Sequence, residues 1–406
     1  MSIAQTAFPR AMTAPQRRIP AHVVLLVNFI PPYRLPLYQA LAERVDRLTV
    51  LLSTEMEGNR SWETDWGGLD VRLQKSWTLK TRWRHPSGFQ DRSEVHIPWD
   101  TYRQLRSLRP DVVLSCELGG RSLLSVMHKL GSCDTRLVLW AMVSEHTEQG
   151  RGLLRRKLRK ALLRHADAVV VNGASGSRYI QGYGCDPQRI VEVPYVAGPD
   201  TVETLPRARD EAAAHRMLYV GQLIDRKGLM PFMDGLKRFA LRHPDRSVEF
   251  ALAGEGPLAE AIGSYAGPSN LSIELLGACS YSELRTHYAD AGIFAFPTLA
   301  DEWGLVVNEA LASGLSVLGS RYSQAVEELV DDGVGWTFRP DTPGEIDSAL
   351  ERALDTPAET LAAMRSAARE RVEHLTPAYA ADGLASALEL ALASSADKAS
   401  RQGGSR

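Results

Sequence analysis

The chain has 406 residues, more than one hydrophobic core usually serves, so two domains of ordinary size are expected. Apolar residues make up 44% and charged residues 24%, a globular balance, and no run approaches the roughly 18 apolar residues of a membrane span. The net charge of −2 hides an asymmetry: residues 1–200 carry 28 Lys and Arg against 19 Asp and Glu, whereas the remainder carries 19 against 30. Opposite charge on the two halves suggests two domains facing different partners.

Residues 1–20 contain Arg10, Arg17 and Arg18 but no apolar stretch, which reads as a disordered leader and not a secretory signal. Val23–Val27 is a buried strand by its Val and Leu content, ended by Asn28 and Pro31–Pro32, and Leu35–Arg44 follows as a helix. Glu55–Pro98 is a long polar excursion with several Trp and Gly residues. Leu48–Leu52, Val112–Leu114, Leu137–Ala141 and Ala168–Val171 complete a first series of strands. Continuous apolar strands separated by helices indicate a parallel sheet covered on both faces. This first domain spans 21–197.

Residues 198–214 are polar, open on Gly198 and Pro199, and read as a linker. A second alternating series occupies 215–376. Its strands are Met217–Val220, Val248–Ala253, Ile273–Leu276, Ile293–Phe296 and Ser316–Leu318. Its helices are Leu229–Leu241, Tyr281–Asp290, Leu305–Ala312 and Glu345–Ala353. An Ala- and Leu-rich helix at 377–393 is expected to pack back on the first domain, and 394–406 reads as a disordered tail. The fold class is therefore α/β: two doubly wound, Rossmann-like domains with a ligand cleft between them, outside the carboxyl ends of the strands. Cys116, Cys133, Cys185 and Cys279 lie far apart without metal-ligand spacing and read as inert thiols.

The chemistry is concentrated in PTLADEWGLVVNEALASG at 297–314. A strand ends, a polar loop follows, and Gly304 opens a helix. Unpaired N–H groups and the partial positive charge at such a helix start suit a diphosphate. Asp301 lies in the loop and Glu309 about one and a half turns into the helix. Carboxylates there can accept hydrogen bonds from sugar hydroxyls, although a capped helix with two solvent acids gives the same pattern.

This segment resembles the E-x7-E signature of family-4 retaining glycosyltransferases of the GT-B fold, with Trp303, Gly304, Leu305, Val306 and Val307 fitting between the two acids. The resemblance implies that Asp301 contacts donor-sugar hydroxyls, that Glu309 contacts the ribose, and that the backbone of 304–306 holds sugar and phosphates. Asp301 replaces the usual Glu and is one methylene shorter, which makes Glu302 a competitor. LYVGQLIDRKG at 218–228 resembles the segment of that family that carries its phosphate-binding Lys, here Lys227. Gln222, next to Gly221, stands where an Arg is common, and Arg226 is the candidate to supply the missing guanidinium. AGEGP at 253–257 matches a glycine turn, Gly277 and Ala278 match the region beside the nucleotide base, and ELVDDGVGW at 328–336 matches a further segment in which Glu328 reads as structural.

The first half resembles the family more weakly. Arg34, in NFIPPYRLPLY, is the candidate to meet an acceptor phosphate, with a solvent-exposed Arg at a helix start as the alternative. His146, in WAMVSEHTE, matches a His that approaches the donor sugar in many members, with Glu145 and Glu148 as weaker candidates. Residues 151–164 carry seven Lys or Arg, no acid, and an apolar face of leucines. Basic amphipathic helices bind anionic membranes. Base-stacking aromatics are absent within the segment, so nucleic acid is not the expected partner.

Together these features imply a hexosyltransferase using UDP- or GDP-sugar and a lipid-linked or polysaccharide acceptor in cell-envelope glycan synthesis. It would be cytoplasmic, peripheral on the inner face of the membrane. Without a D-x-D triplet or a His/Cys cluster, no cofactor or obligatory metal is expected. A nicotinamide enzyme is disfavoured because no strand is followed by G-x-G-x-x-G. An epimerase on the same plan, or a nonenzymatic partner protein with a degenerate donor site, are the alternatives.

Overall fold

A computed structural model describes residues 8, 18–56, 65–132, 134–197 and 211–403. The sequence-predicted leader, the linker up to 210, Cys133 and the last three residues of the tail lie wholly or mainly outside this set. The chain divides into two compact units, each built on one parallel sheet.

The strands of the first half are β1 (Ile19–Val27), β2 (Val45–Leu52), β3 (Asp70–Leu73), β4 (Ser76–Arg84), β5 (Gln90–Pro98), β6 (Val112–Cys116), β7 (Arg136–Ala141), β8 (Ala168–Val171) and β9 (Ile190–Glu192). All but β4 and β5 form a seven-stranded sheet in the order β3-β2-β1-β6-β7-β8-β9, parallel throughout. Its central strands are buried on both faces: Val24, Leu26, Val113, Leu139 and Val169 are inaccessible or nearly so. This is why the sequence shows continuous apolar runs and not alternation. The helix Pro377–Gly403 belongs to this unit. It packs against the helix Leu35–Arg44 and against β6–β9, with Arg44 donating to Asp382 at 2.8 Å. Gly383 lies so close to Val193 that a Cβ would stand 2.9 Å from its side chain.

Four expectations are corrected. Strand β1 begins at Ile19, inside the predicted leader, and the last helix runs to Gly403, across the tail predicted as disordered from 394. The polar excursion contains structure: β3 joins the sheet edge, and β4 with β5 forms a separate two-stranded ribbon. The predicted linker ends in a short helix, Glu211–Ala214.

The second unit carries β10 (Met217–Val220), β11 (Val248–Ala253), β12 (Leu271–Gly277), β13 (Ile293–Phe296), β14 (Ser316–Ser320) and β15 (Gly335–Phe338). Their order, β12-β11-β10-β13-β14-β15, is parallel throughout and reverses direction between β10 and β13. In doubly wound sheets that reversal opens a ligand crevice at the carboxyl ends of the two strands. Phe232, Phe239, Phe250, Phe294 and Phe338 fill the core. Among the described residues, no helix is long and apolar enough to cross a membrane.

Candidate active site

The sequence-predicted donor residues converge at the carboxyl ends of β10 and β13. After β10 the chain passes Gly221, makes a single helical turn at Asp225–Lys227, and enters the helix Leu229–Arg242 through Gly228. Gly228 has φ 67°, and a Cβ there would stand 2.2 Å from the Pro297 carbonyl oxygen, so only glycine lets this turn meet the loop after β13. The two segments are then laced together. Leu299 N–H donates to the Arg226 carbonyl at 2.8 Å, and an Arg226 Nη donates to the Ala300 carbonyl at 3.0 Å.

Asp301 lies at the centre of this contact. Lys227 Nζ donates to its Oδ2, an Arg226 Nη lies 3.6 Å from the same oxygen, and the Trp303 N–H also serves the carboxylate. Burial opposes ionisation, but the two cations and the hydrogen bonds outweigh it and hold Asp301 below the usual carboxylate range. Lys227 Nζ also lies 5.1 Å from the centre of the Phe296 ring. Glu302, the competitor, is exposed, and its backbone carbonyl accepts from the Gln324 side chain. The geometry therefore gives the central place to Asp301.

The loop is fixed from its other side as well. Asp301 N–H donates to the Tyr322 carbonyl at 3.0 Å, Ala325 N–H to the Trp303 carbonyl at 3.0 Å, and Ser323 Oγ to the same carbonyl. Trp303 is buried, and its indole N–H donates to Asn308 at 2.8 Å. The Trp in this motif is thus a structural wedge beneath the loop. Gly304 has φ 102°, and a Cβ would meet Phe296 and Ser323 at under 3 Å. It opens the helix Leu305–Ala312, whose first N–H groups have no intrahelical acceptor, with Leu305 and Val306 half-buried at its start.

Glu309 sits on that helix, buried, accepting from the Tyr288 hydroxyl at 3.2 Å. Burial pushes its carboxyl up to about 7, and the Tyr288 hydrogen bond only partly offsets this. The two acids of the motif therefore differ in kind: Asp301 is a neutralised anion, and Glu309 titrates near neutrality. Tyr288, on the helix Tyr281–Asp290, escaped the sequence reading because nothing local to it points to Glu309.

The glycine turns frame the neighbouring strand ends. Gly221 donates to the Ala253 carbonyl at 2.9 Å and Gly254 to the Gly277 carbonyl at 2.7 Å, while a Cβ on Gly254 would overlap Gly221. Gln222 and Ala278 are exposed, and Gly277 is half-buried at the end of β12. Among the described residues, no three His, Cys, Asp or Glu side chains gather as a metal-ligand group.

The first unit places its candidates differently. Arg34 is buried, its guanidinium 3.8 Å from the centre of the Tyr195 ring and 4.9 Å from that of Trp140, with an Nη 3.7 Å from Met142 Sδ. The solvent-exposed alternative does not fit this stacked position. His146 is half-buried in the turn after β7. Its neighbour Glu145 pairs with Arg178 at 2.7 Å, and Glu148 with Arg159 at 2.5 Å, Arg151 at 3.4 Å and Arg155 at 3.6 Å. Arg159 is 2% exposed and also reaches Tyr179, so it leaves the basic face predicted for 151–164. That face retains Arg156, Lys157, Lys160 and Arg164, with Arg155 at its edge.

Comparison with known proteins gives the family of the chain. The profile "Glycosyl transferases group 1" matches residues 214–356, and the profile "Glycosyl transferase 4-like domain" matches 30–196. A D-inositol 3-phosphate glycosyltransferase of Corynebacterium aurimucosum is 28% identical over 222 residues, covering 50% of this chain and 52% of that protein. The chain thus spans about half the length of this curated relative. Among solved structures, Anabaena HepE in complex with UDP-glucose superposes with a TM-score of 0.65 at 14% identity, over 91% of this chain and 99% of that one. The lipopolysaccharide outer core galactosyltransferase WaaB superposes with a TM-score of 0.64 at 13% identity, over 90% and 99%. At such identities the structural likeness concerns the fold.

Proposed function

This chain belongs to the group 1 glycosyltransferases of the GT-B fold, and from that premise we propose that it moves a hexosyl group from a UDP- or GDP-sugar to a hydroxyl acceptor with retention at the anomeric carbon. The observation that carries the proposal is the pairing of Lys227 and Arg226 with the half-buried Asp301 beside the helix opened by Gly304. Two cations and a helix start form a site for a diphosphate, with the cations already placed where charge develops.

In the proposed reaction the bond from the anomeric carbon to the diphosphate breaks, and its electron pair leaves with the diphosphate. The acceptor oxygen bonds to the same face of the sugar, and its proton passes to the leaving diphosphate. The transition state has oxocarbenium character. Lys227 and Arg226 take up the charge on the leaving group as Asp301 turns toward the sugar hydroxyls, and Glu309 receives the ribose. His146 is the proposed contribution of the first unit to the chemistry, on the resemblance of its segment to that of the family. The acceptor is a lipid-linked or polysaccharide intermediate of the cell envelope. The enzyme works at the cytoplasmic face of an anionic membrane, with the basic helix Leu153–His165 as its contact.

Thermal unfolding with UDP-, GDP- and TDP-sugars tests the donor. A donor at 100 times its Kd stabilises by about 2.7 kcal/mol, and one of the first two classes is expected to do so. NMR of the product then reads the anomeric configuration. Failure of every nucleotide-sugar to stabilise the protein would overturn the donor reading, and an inverted product would overturn retention.

A further inference from the structure

The ribbon of β4 and β5 stands outside the seven-stranded sheet. Thr78 contacts His96 at 2.9 Å, and Lys80 lies 3.8 Å from Glu94, which sets Leu79 opposite Val95 and Trp77 opposite Ile97. Strand alternation therefore gathers Trp77, Leu79 and Val95 on one face. These side chains are 66%, 52% and 40% exposed. A two-stranded ribbon is marginal in water, and one that leaves a Trp and a Leu open to solvent on the same face has an unused apolar surface.

The same face leads to the basic helix. Trp83, further along β4, stacks under the Arg151 guanidinium at 3.6 Å, and Arg151 pairs with Glu148 just before the helix begins. Leu153 and Leu154 follow at 74% and 84% exposure. The apolar face of the ribbon is thus joined, through one Arg–Trp stack, to a helix start that carries exposed leucines and is followed by exposed cations. Trp and Leu beside long cationic side chains fit the interfacial layer of an anionic bilayer. There the indole lies at headgroup depth, and Lys and Arg stems reach the phosphates.

We propose that the ribbon Ser76–Pro98 inserts its Trp77–Leu79 face into the headgroup layer of an anionic membrane, as a second and apolar anchor beside the basic helix. This rests on the membrane-facing part of the proposed function and adds to it: the helix supplies salt-sensitive attraction, and the ribbon supplies binding that salt does not screen.

The test uses the full chain and vesicles of phosphatidylglycerol and phosphatidylcholine in equal parts, sedimented at low and high salt. Trp77→Ser with Leu79→Ser is expected to weaken binding on the order of tenfold or more at both salt concentrations, because two apolar side chains no longer leave water. Replacing Arg156, Lys157, Lys160 and Arg164 with Gln should remove mainly the low-salt binding. Leu241→Ser, an equally simple change at a 61% exposed Leu of the other unit, should leave binding intact. Melting temperature and donor-induced stabilisation confirm that each variant is folded. Wild-type vesicle affinity in the Trp77/Leu79 variant overturns the inference, and if the charge variant has lost binding, the helix contact survives alone. A self-associated form abolished by the ribbon variant at unchanged vesicle affinity assigns the face to a second copy and also overturns it. Absence of any vesicle binding by the wild type removes both membrane contacts while leaving the donor reading untouched.

Discussion

Two carboxylates in this molecule each gather several cations, and they differ in what the cations are free to do. Glu148 holds Arg159, Arg151 and Arg155, all within eleven residues of it, and Arg159 is buried and further engaged with Tyr179. Asp301 holds Lys227 and Arg226 from 74 and 75 residues away, at strand ends where the sheet order reverses and beside a helix start. The first cluster is closed by the side chains of its own unit. The second is built where a doubly wound fold binds ligands, and under the proposed function a diphosphate takes the place of its internal anion. Counting charges does not separate the two; burial of the cation and the surrounding backbone do.

The sharpest way to break this contrast is to remove one cation from each cluster. Arg159→Ala leaves Glu148 buried with weaker partners and should cost about 3–5 kcal/mol of stability, read as a large fall in melting temperature. Lys227→Ala and Arg226→Ala should each lower kcat by about 10²–10³ with a smaller change in KM, because they act on charge that develops during the reaction. Their melting temperatures should move less than that of Arg159→Ala. Wild-type turnover in both would remove this turn from the catalytic site.

Asp301→Asn sharpens the second half of the comparison. Without its charge, Lys227 and Arg226 lose their internal counter-ion, so binding of the free nucleoside diphosphate should tighten severalfold, about 1 kcal/mol. Turnover should nevertheless fall, since the amide cannot accept as strongly from sugar hydroxyls. Calorimetry with UDP and GDP reads the first effect. Weakened diphosphate binding would mean that Asp301 positions the cations and does not compete with the ligand.

What could be read in advance follows the same division between local and tertiary information. The strands Ala168–Val171, Met217–Val220, Val248–Ala253 and Ile293–Phe296, and the helices Tyr281–Asp290 and Leu305–Ala312, have the bounds that hydrophobic pattern and turn residues imply. Each is buried or amphipathic along its own length. The positions of Asp301, Lys227 and Arg226 were legible through motif resemblance, but their mutual pairing was not, because it depends on Gly228 meeting Pro297 across the sheet. The β4–β5 ribbon was missed although Trp and Leu alternate with Thr and Lys along β4, because its strands bury little and lie in a segment that is polar as a whole. Arg34 was read as an acceptor-side Arg or a solvent-exposed one, and Arg159 as part of a basic face. Their burial comes from Tyr195, Trp140, Glu148 and Tyr179, partners that sequence proximity does not reveal.

Glu309 offers a pH test of the contrast between the two motif acids. Its folded-state value of about 7 lies above the ordinary carboxyl value of 4.5. The folded protein therefore binds the proton more tightly than the unfolded chain. Its contribution to stability is fully present below pH 4.5 and is lost as pH rises through about 7, up to about 3 kcal/mol. Glu309→Gln should be folded at all these values, with little of this loss between pH 5 and 8. Donor affinity of the wild type should rise through the same window, because the ionised form accepts from ribose hydroxyls, and the Gln variant should bind donor weakly and without that step. Equal pH profiles for the two proteins, or unchanged donor affinity in the variant, would take Glu309 out of the site.

The smallest effect is expected at the Glu145–Arg178 pair, which supplies the exposed limit of the series. Its side chains are 41% and 47% accessible, and the carboxylate meets the guanidinium at 2.7 Å. Solvent screening and the entropy of two long side chains reduce such pairs to about 0–1 kcal/mol. The loop is also held independently, since Glu145 N–H donates to Ser175 Oγ at 3.0 Å. Arg178→Ala should therefore shift the melting temperature slightly, the shift should vanish in high salt, and turnover should stay near wild type. His146, the next residue, gives the comparison its functional edge. If His146 meets the transferred sugar, His146→Ala should lower turnover well beyond Arg178→Ala at similar stability. Equal losses in the two variants would instead assign the effect to the placement of the whole turn, with the ion pair positioning it and the imidazole making no separate contribution.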